Sequence, residues 1–222
     1  MGPGFLDGTS AACRIAVIGA GGIGNALLPL LVDLRVRKLT IIDGDRVEAH
    51  NLLRQPLFTG SDVGRSKAST IADHLRRMIP TCDVVAQDVF LDGHNAEALL
   101  SGHDVVMEGV DDLHAKAVID RTCMALHLPL VSGAVHGPQG QVVVLHAAGT
   151  GAGLSRAQLF TGSPGPEQDG CDMRDVPVEV LGEVARCMVA RAHDVLQRQA
   201  MNGRLEILVS PGRHWMTIEP VR

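Results

Sequence analysis

The sequence predicts an α/β fold, a Rossmann-like doubly wound sheet that is mostly parallel at first, with antiparallel strands toward the C-terminus. Three observations carry this. Short β-branched runs alternate with amphipathic helical stretches over residues 14–132, the first run stops at the glycine cluster GAGGIG (Gly19 to Gly24), and the chain closes on a hairpin pattern after its last helical stretch.

Residues 14–18 form the first apolar, β-branched run, and Ile23, Leu27, Leu30, Leu31 and Leu34 recur behind the glycines at helical spacing. Pro29 falls inside that helix, where it removes a backbone donor and crowds the preceding turn, so a kink or an altered first half is expected. Residues 38–42 close a βαβ unit, and their lack of polar alternation implies burial on both faces of a parallel sheet. Lys67, Ala68, Ile71, Ala72, Leu75, Met78 and Ile79 make another amphipathic helix, stopped by Pro80. Strands are expected at 84–86, 105–107 and 130–132, with helical patterns around 95–100 and 113–126 between them.

From Gly140 the pattern changes. Residues 141–146 read as a strand after a Gly-Pro-Gln-Gly turn, and 147–175 are dense in Gly, Pro and Ser, with nothing that supports regular structure. A stretch of this kind inside a compact domain is a functional lid or an irregular loop. Helix resumes over 178–201, and 205–209 with 216–218 form a closing hairpin around Pro211-Gly212. There is no internal repeat and no second core. Residues 13–222 are therefore expected to form one domain, and residues 1–12, MGPGFLDGTSAA, a flexible segment or tag remnant.

With 222 residues, 45% of them hydrophobic, the chain can bury one sizeable core. The formal net charge is −5 and no window is rich in Lys or Arg, which argues against nucleic acid as the primary partner. Four Phe, one Trp and no Tyr leave the core aliphatic and provide no base-stacking surface. The five cysteines are widely spaced and form no CxxC pair, which suggests neither a disulfide framework nor a tetrathiolate zinc site. Reduced thiols in a cytoplasmic protein are expected. The N-terminal residues lack a basic start, and no stretch of about eighteen apolar residues occurs, so neither secretion nor membrane insertion is expected.

Gly19, Gly21, Gly22 and Gly24 leave the backbone donors of a helix start open to a phosphate, because no side chain blocks the approach. That motif fits a dinucleotide as readily as ATP. Asp43 closes the second strand where an acid would grip ribose hydroxyls, again in either ligand. Asn51, Arg54, Gln55 and Lys67 bring two cations and two amides into an otherwise apolar segment. Polyphosphate is the ligand that needs such converging donors, and hydride transfer does not. Taken singly, Arg54 and Lys67 would read as solvated surface charges. Asp111 and Asp112 follow the strand at 105–107, at the carboxyl edge where open α/β sheets place ligands. A carboxylate there suits a magnesium ion on phosphates, while an Asp before a helix also suits an N-cap.

Read in order, GAGGIG, Asp43-Gly-Asp45, His50-Asn51-Leu-Leu-Arg54-Gln55, DVGRSKA, Val110-Asp111-Asp112 and PLVSGA ending in Ala134 resemble the ThiF, MoeB and HesA family, relatives of the ubiquitin-activating enzymes. The likeness is strong over roughly residues 14–146. It implies a single adenylation domain, with 147–175 as a crossover loop, that uses ATP and Mg2+ to adenylate the C-terminal glycine of a small ubiquitin-fold sulfur carrier ending in Gly-Gly. Pyrophosphate leaves, and the pathway is thiamine, molybdopterin or related sulfur transfer. Carried over by motif, Asp43 holds ribose within the Asp43–Asp45 pair, Arg54, Gln55 and Lys67 hold the triphosphate, Asn51 the phosphates or nearby backbone, and Asp111 the magnesium. Cys171, in the loop before the late helix, is implied as a thioester or persulfide nucleophile toward the acyl adenylate. A homodimer and a sulfur-donor protein are implied as partners, with no nucleic acid and no membrane.

The division of labour is chemically coherent. A carboxylate attacking the α-phosphate approaches several negative charges, so fixed cations and a metal offset repulsion and no protein nucleophile is required. The chain departs from the family in three places. It lacks the paired CxxC motifs that hold zinc, so no zinc is expected. It has only about a dozen residues before Arg14 from which to present an N-terminal arginine, and it carries His50 where serine is common. Two rivals remain at this level: a non-catalytic member that binds nucleotide and carrier, and an NAD-dependent oxidoreductase.

Overall fold

The computed structural model describes residues 13–34, 36–147, 156–159, 176–198, 204–209 and 214–218. Cys13–Ile18 (β1) and Val36–Ile42 (β2) pair in parallel and are buried along most of their length, as their unbroken apolar runs require. Between them Gly22–Leu27 (α1) passes into a 3-10 helix, Leu28–Asp33, with Pro29 in its first turn. Pro29 has no N–H to send back four residues, so the tighter winding takes over there. The expected kink is thus a change of helix type, and it falls in the second half.

Lys67–Met78 (α2) starts at Ser66, whose hydroxyl accepts the Ser69 N–H at 3.3 Å, and ends before Pro80. Asp83–Gln87 (β3), Ala96–Leu100 (α3), Val105–Glu108 (β4) and Leu113–Ala125 (α4) follow. Leu130–His136 (β5) runs past the predicted Ser132 because it pairs antiparallel with Gln139–Leu145 (β6) over its whole length. A short helical turn, Arg156–Leu159 (α5), lies in the stretch expected to hold no regular structure. Val178–Leu196 (α6), Leu205–Val209 (β7) and His214–Ile218 (β8) complete the chain, the last two as the expected antiparallel pair.

Among the described residues these strands form one sheet in the order β3-β2-β1-β4-β5-β6-β7-β8, parallel through β5 and antiparallel beyond it. Alternate residues of each strand serve opposite faces. Ile15, Val17, Leu39 and Met107 pack with α1, α2 and α6, whereas Ala16, Ile18, Val106 and Val143 pack with α3 and α4. Burying each large aliphatic side chain contributes about 1.5–3 kcal/mol, so two filled layers hold the strand ends rigidly. Chain order reverses between β1 and β4, with β2 and β3 to one side and β4 and β5 to the other, and a crevice opens there at the carboxyl ends.

Candidate nucleotide site

The crevice is a cleft of about 500 Å³. Its first wall is the glycine turn. Gly19 has φ +95°, a conformation that L side chains avoid, and its N–H is held by the Ile42 carbonyl at 3.0 Å. Gly19, Gly21 and Gly22 line the cleft. Gly24 does not face it: a Cβ there would lie 2.1 Å from the Gly19 carbonyl oxygen, so this glycine lets α1 settle onto the turn. Asp43, just beyond β2, locks the same turn, its carboxylate accepting the Ala20 N–H at 2.6 Å and the Asp45 N–H at 2.7 Å. Burial raises the Asp43 carboxyl pKa, with those two backbone donors and Lys67 opposing. Between the two acids, Gly44 has no room for a Cβ because Phe90 packs 2.6 Å from where it would sit. Phe90 is itself 69% exposed at the cleft mouth, beside Val89 and Leu91.

The second wall comes from residues 48–67. Asn51 is buried and shapes a 3-10 turn, Ala49–Leu53, its Oδ1 accepting the Glu48 N–H at 2.9 Å while its amide nitrogen lies 3.0 Å from His50 Nε2. The Asn25 amide, buried in α1, donates to the Ala20 carbonyl and accepts the Leu57 N–H at 3.0 Å, which ties this segment to the glycine turn. Arg54 and Gln55 are thereby aimed into the cleft. Arg54 Nε and Gln55 Oε1 are buried there and have no hydrogen-bond partner among the described residues. The Lys67 ammonium, by contrast, is paired with Asp45 Oδ2 at 2.9 Å, and the Lys67 N–H binds the Asp45 carbonyl.

The third wall is the end of β4. Asp111 is exposed, lines the cleft and makes no hydrogen bond among the described residues, while Asp112 caps α4 by accepting the Ala115 N–H at 2.5 Å. Beneath them lies a cluster that motif reading missed. Glu108 is fully buried and accepts from Lys116 Nζ at 2.9 and 3.0 Å, from Arg156 Nη2 at 2.9 Å and from the Ser132 hydroxyl. The signal was a glutamate closing an otherwise apolar strand, with a lysine eight residues on.

Gly19, Gly21, Gly22, Asp43, Asp45, Asn51, Arg54, Gln55, Lys67 and Asp111 therefore line one cleft. Cys171 lies outside the described residues. Cys13, Cys82 and Cys123 are buried, and Cys187 donates to Glu206 Oε2 at 3.1 Å. Burial raises the pKa of all four thiols and disfavours their thiolates. Among the described residues no group of three His, Cys, Asp or Glu side chains is arranged to hold a metal, and no helix is long and apolar enough to cross a membrane.

Comparison with known proteins adds to this geometry. A model of the ThiF family matches residues 8–220. The chain is 36% identical over 132 residues to the sulfur carrier protein adenylyltransferase of Thermus thermophilus, covering 60% of this chain and 49% of that protein. It is 34% identical over 141 residues to the molybdopterin-synthase adenylyltransferase of Escherichia coli, covering 63% of this chain and 57% of the relative. The chain thus spans about half the length of these relatives. Among solved structures, E. coli MccB with ATP superposes with a TM-score of 0.77 at 17% identity, over 93% of this chain and 63% of MccB, a likeness of fold.

Proposed function

We propose, from the premise that this chain belongs to the ThiF family, that it adenylates the C-terminal glycine carboxylate of a small ubiquitin-fold sulfur carrier, with ATP as the second substrate and pyrophosphate as product. The observation that carries this reading is that Arg54 and Gln55, whose buried Nε and Oε1 have no hydrogen-bond partner among the described residues, line the same cleft as Lys67 and Asp111. Buried polar groups without partners cost about 1–3 kcal/mol each, and a phosphate chain is a ligand that could supply what the arginine lacks. The names of the relatives, adenylyltransferases of a sulfur carrier and of molybdopterin synthase, support the same chemistry.

In this reading the nucleotide runs along the carboxyl ends of β1 and β2. Phe90 and its apolar neighbours take the base, Asp43 takes ribose hydroxyls with the lone pairs its backbone donors leave open, and the glycine turn takes phosphate oxygens. Arg54 and Lys67 then face the β- and γ-phosphates, offset repulsion as the carrier carboxylate approaches the α-phosphate, and follow charge onto pyrophosphate. Asp45 holds Lys67 in place by its ion pair. Asp111, a cleft carboxylate that makes no hydrogen bond among the described residues, is the group that would hold Mg2+, which when bound neutralises phosphate charge. Hydride transfer uses none of these cations, and this weighs against the oxidoreductase alternative.

The same reading takes residues 13–222 as one adenylation domain in a cytoplasmic homodimer, with a sulfur-donor protein downstream. It assigns Cys171 to attack on the acyl adenylate, forming a C–S bond as AMP leaves. Asp111→Asn should abolish ATP–pyrophosphate exchange driven by a carrier ending in Gly-Gly, with the fold intact by circular dichroism. Undiminished exchange would refute the metal assignment. Nucleotide binding with no exchange in the unmutated chain would instead favour a non-catalytic member.

A further inference from the structure

Asn51 is the hub of the second wall. Its carbonyl accepts the Arg54 N–H at 3.1 Å and the Gln55 N–H at 3.0 Å, so the two residues whose buried Nε and Oε1 find no partner both hang from it. Gln55 Nε2 lies 4.0 Å from where a Cβ on Gly21 would sit, which sets this wall against the glycine turn. The Asn51 side chain is buried, and both of its ends are engaged: Oδ1 accepts the Glu48 N–H at 2.9 Å, and the amide nitrogen lies 3.0 Å from His50 Nε2. His50 Nδ1 lies in turn 3.1 Å from Glu48 Oε2. Glu48, His50 and Asn51 all line the cleft.

These contacts fix where each proton sits. A backbone N–H only donates, so the Asn51 oxygen faces the Glu48 N–H and the amide nitrogen faces the ring. An amide nitrogen also only donates, so His50 Nε2 is the acceptor and carries no hydrogen. The one proton of the neutral ring is then on Nδ1, where it is donated to the Glu48 carboxylate. An imidazolium would set N–H against N–H. The Asn51 amide spends one hydrogen on His50, and its second has no acceptor among the described residues. The His50 and Glu48 side chains are 57% and 67% exposed, so their pairing contributes little to folding. What it supplies is orientation.

We propose that His50, in its neutral Nδ1–H form, is a positioning residue of the phosphate subsite: it holds the Asn51 amide, and through Asn51 the turn that carries Arg54 and Gln55, in place for a polyphosphate. This rests on the nucleotide reading above and deepens it at a residue where the chain departs from the family motif.

The test is calorimetric titration of the full chain with MgATP and, separately, with adenosine, which has no phosphate, joined to nitrogen NMR of the imidazole rings. His50→Leu removes the acceptor at similar size. It should weaken MgATP about tenfold, leave adenosine within about twofold and barely move Tm. His50→Gln, which offers an oxygen to Asn51 and a donor to Glu48, should restore MgATP to within about threefold of the unmutated chain. In weakly alkaline buffer the ring signal that His50→Gln deletes should be that of an Nδ1–H tautomer. If His50→Leu does not fold, the ring tautomer decides. Unchanged MgATP affinity in His50→Leu, an equal loss of adenosine affinity, a loss that His50→Gln fails to restore, or an Nε2–H signal would overturn the inference alone. An unmutated chain that binds neither MgATP nor adenosine would overturn it together with the nucleotide reading.

Discussion

Near the amino ends of β1 and β4, Arg14, Asp104 and His103 find hydrogen-bond partners, whereas at the carboxyl ends Arg54 Nε and Gln55 Oε1 find none among the described residues. Arg14 binds Asp104 through Nη2 at 2.8 Å, Nε at 3.2 Å and its own backbone N–H at 2.7 Å. That hydrogen bonding holds the Asp104 carboxyl below its usual range. Thr40, His103 and the Leu100 carbonyl form a second closed chain, each link 2.9 Å. Since a carbonyl only accepts, His103 carries its proton on Nδ1 and takes the Thr40 hydroxyl at Nε2, a neutral imidazole with both nitrogens used. Across the sheet, among the described residues, Arg54 Nε and Gln55 Oε1 have no partner, Asp111 makes no hydrogen bond, and Glu108 faces two cations. One end of the sheet is built for stability. The other lines a cleft with polar groups that have no hydrogen-bond partner among the described residues, and the contrast marks that cleft more sharply than any single motif does.

Mutations at the two ends should separate stability from binding. The exception is Gly24, where both depend on one packing contact. Gly24→Ala forces a methyl against the Gly19 carbonyl, so it should cost about 3 kcal/mol and displace the turn, lowering the urea midpoint and MgATP affinity together. A variant with unaltered midpoint would show that α1 does not need this close approach. Arg54→Ala is the clean test at the carboxyl end. It removes a group with an unpaired buried nitrogen, so MgATP binding should fall by about ten- to a hundredfold while the melting temperature barely moves.

Thr40→Val reverses that pattern. It keeps the shape but strips His103 of its donor, at a cost of about 1–2 kcal/mol in chemical denaturation with no change in nucleotide affinity. The smallest effect is in pH. Burial lowers the His103 pKa below its usual 6.5, so below that value the unfolded chain takes up a proton that the fold resists. The His103 contribution should be intact above pH 6.5 and fade as pH falls through it. The decline in melting temperature between pH 8 and 5 should be shallower in His103→Gln, and an identical slope would remove His103 from the account.

The strands and most helices were legible because their signal is local. Runs such as the one that became β2 are apolar at every position, and α2 keeps its apolar residues on one face until Pro80 ends it. The motif residues from Gly19 to Lys67 were legible as a set for the same reason, since each motif is short. What escaped depends on contacts between distant positions. Glu108 meets Lys116, Ser132 and Arg156 only once β4, β5, α4 and α5 are assembled, and Asn25 finds Leu57 from inside an apolar helix pattern. Gly24 looked like a fourth phosphate-facing glycine, and its packing role needed the φ of Gly19 to become visible. The short α5 turn was hidden by the Gly and Ser around it.

Titration of the purified chain with MgATP and with NADH, repeated on Arg54→Ala, tests the central claim most directly. Saturable MgATP binding that weakens by at least about tenfold in the variant, with little or no NADH binding, is the predicted result. Tight NADH binding that Arg54→Ala leaves untouched would mean that the unsatisfied groups at the β1–β4 crevice await a different ligand.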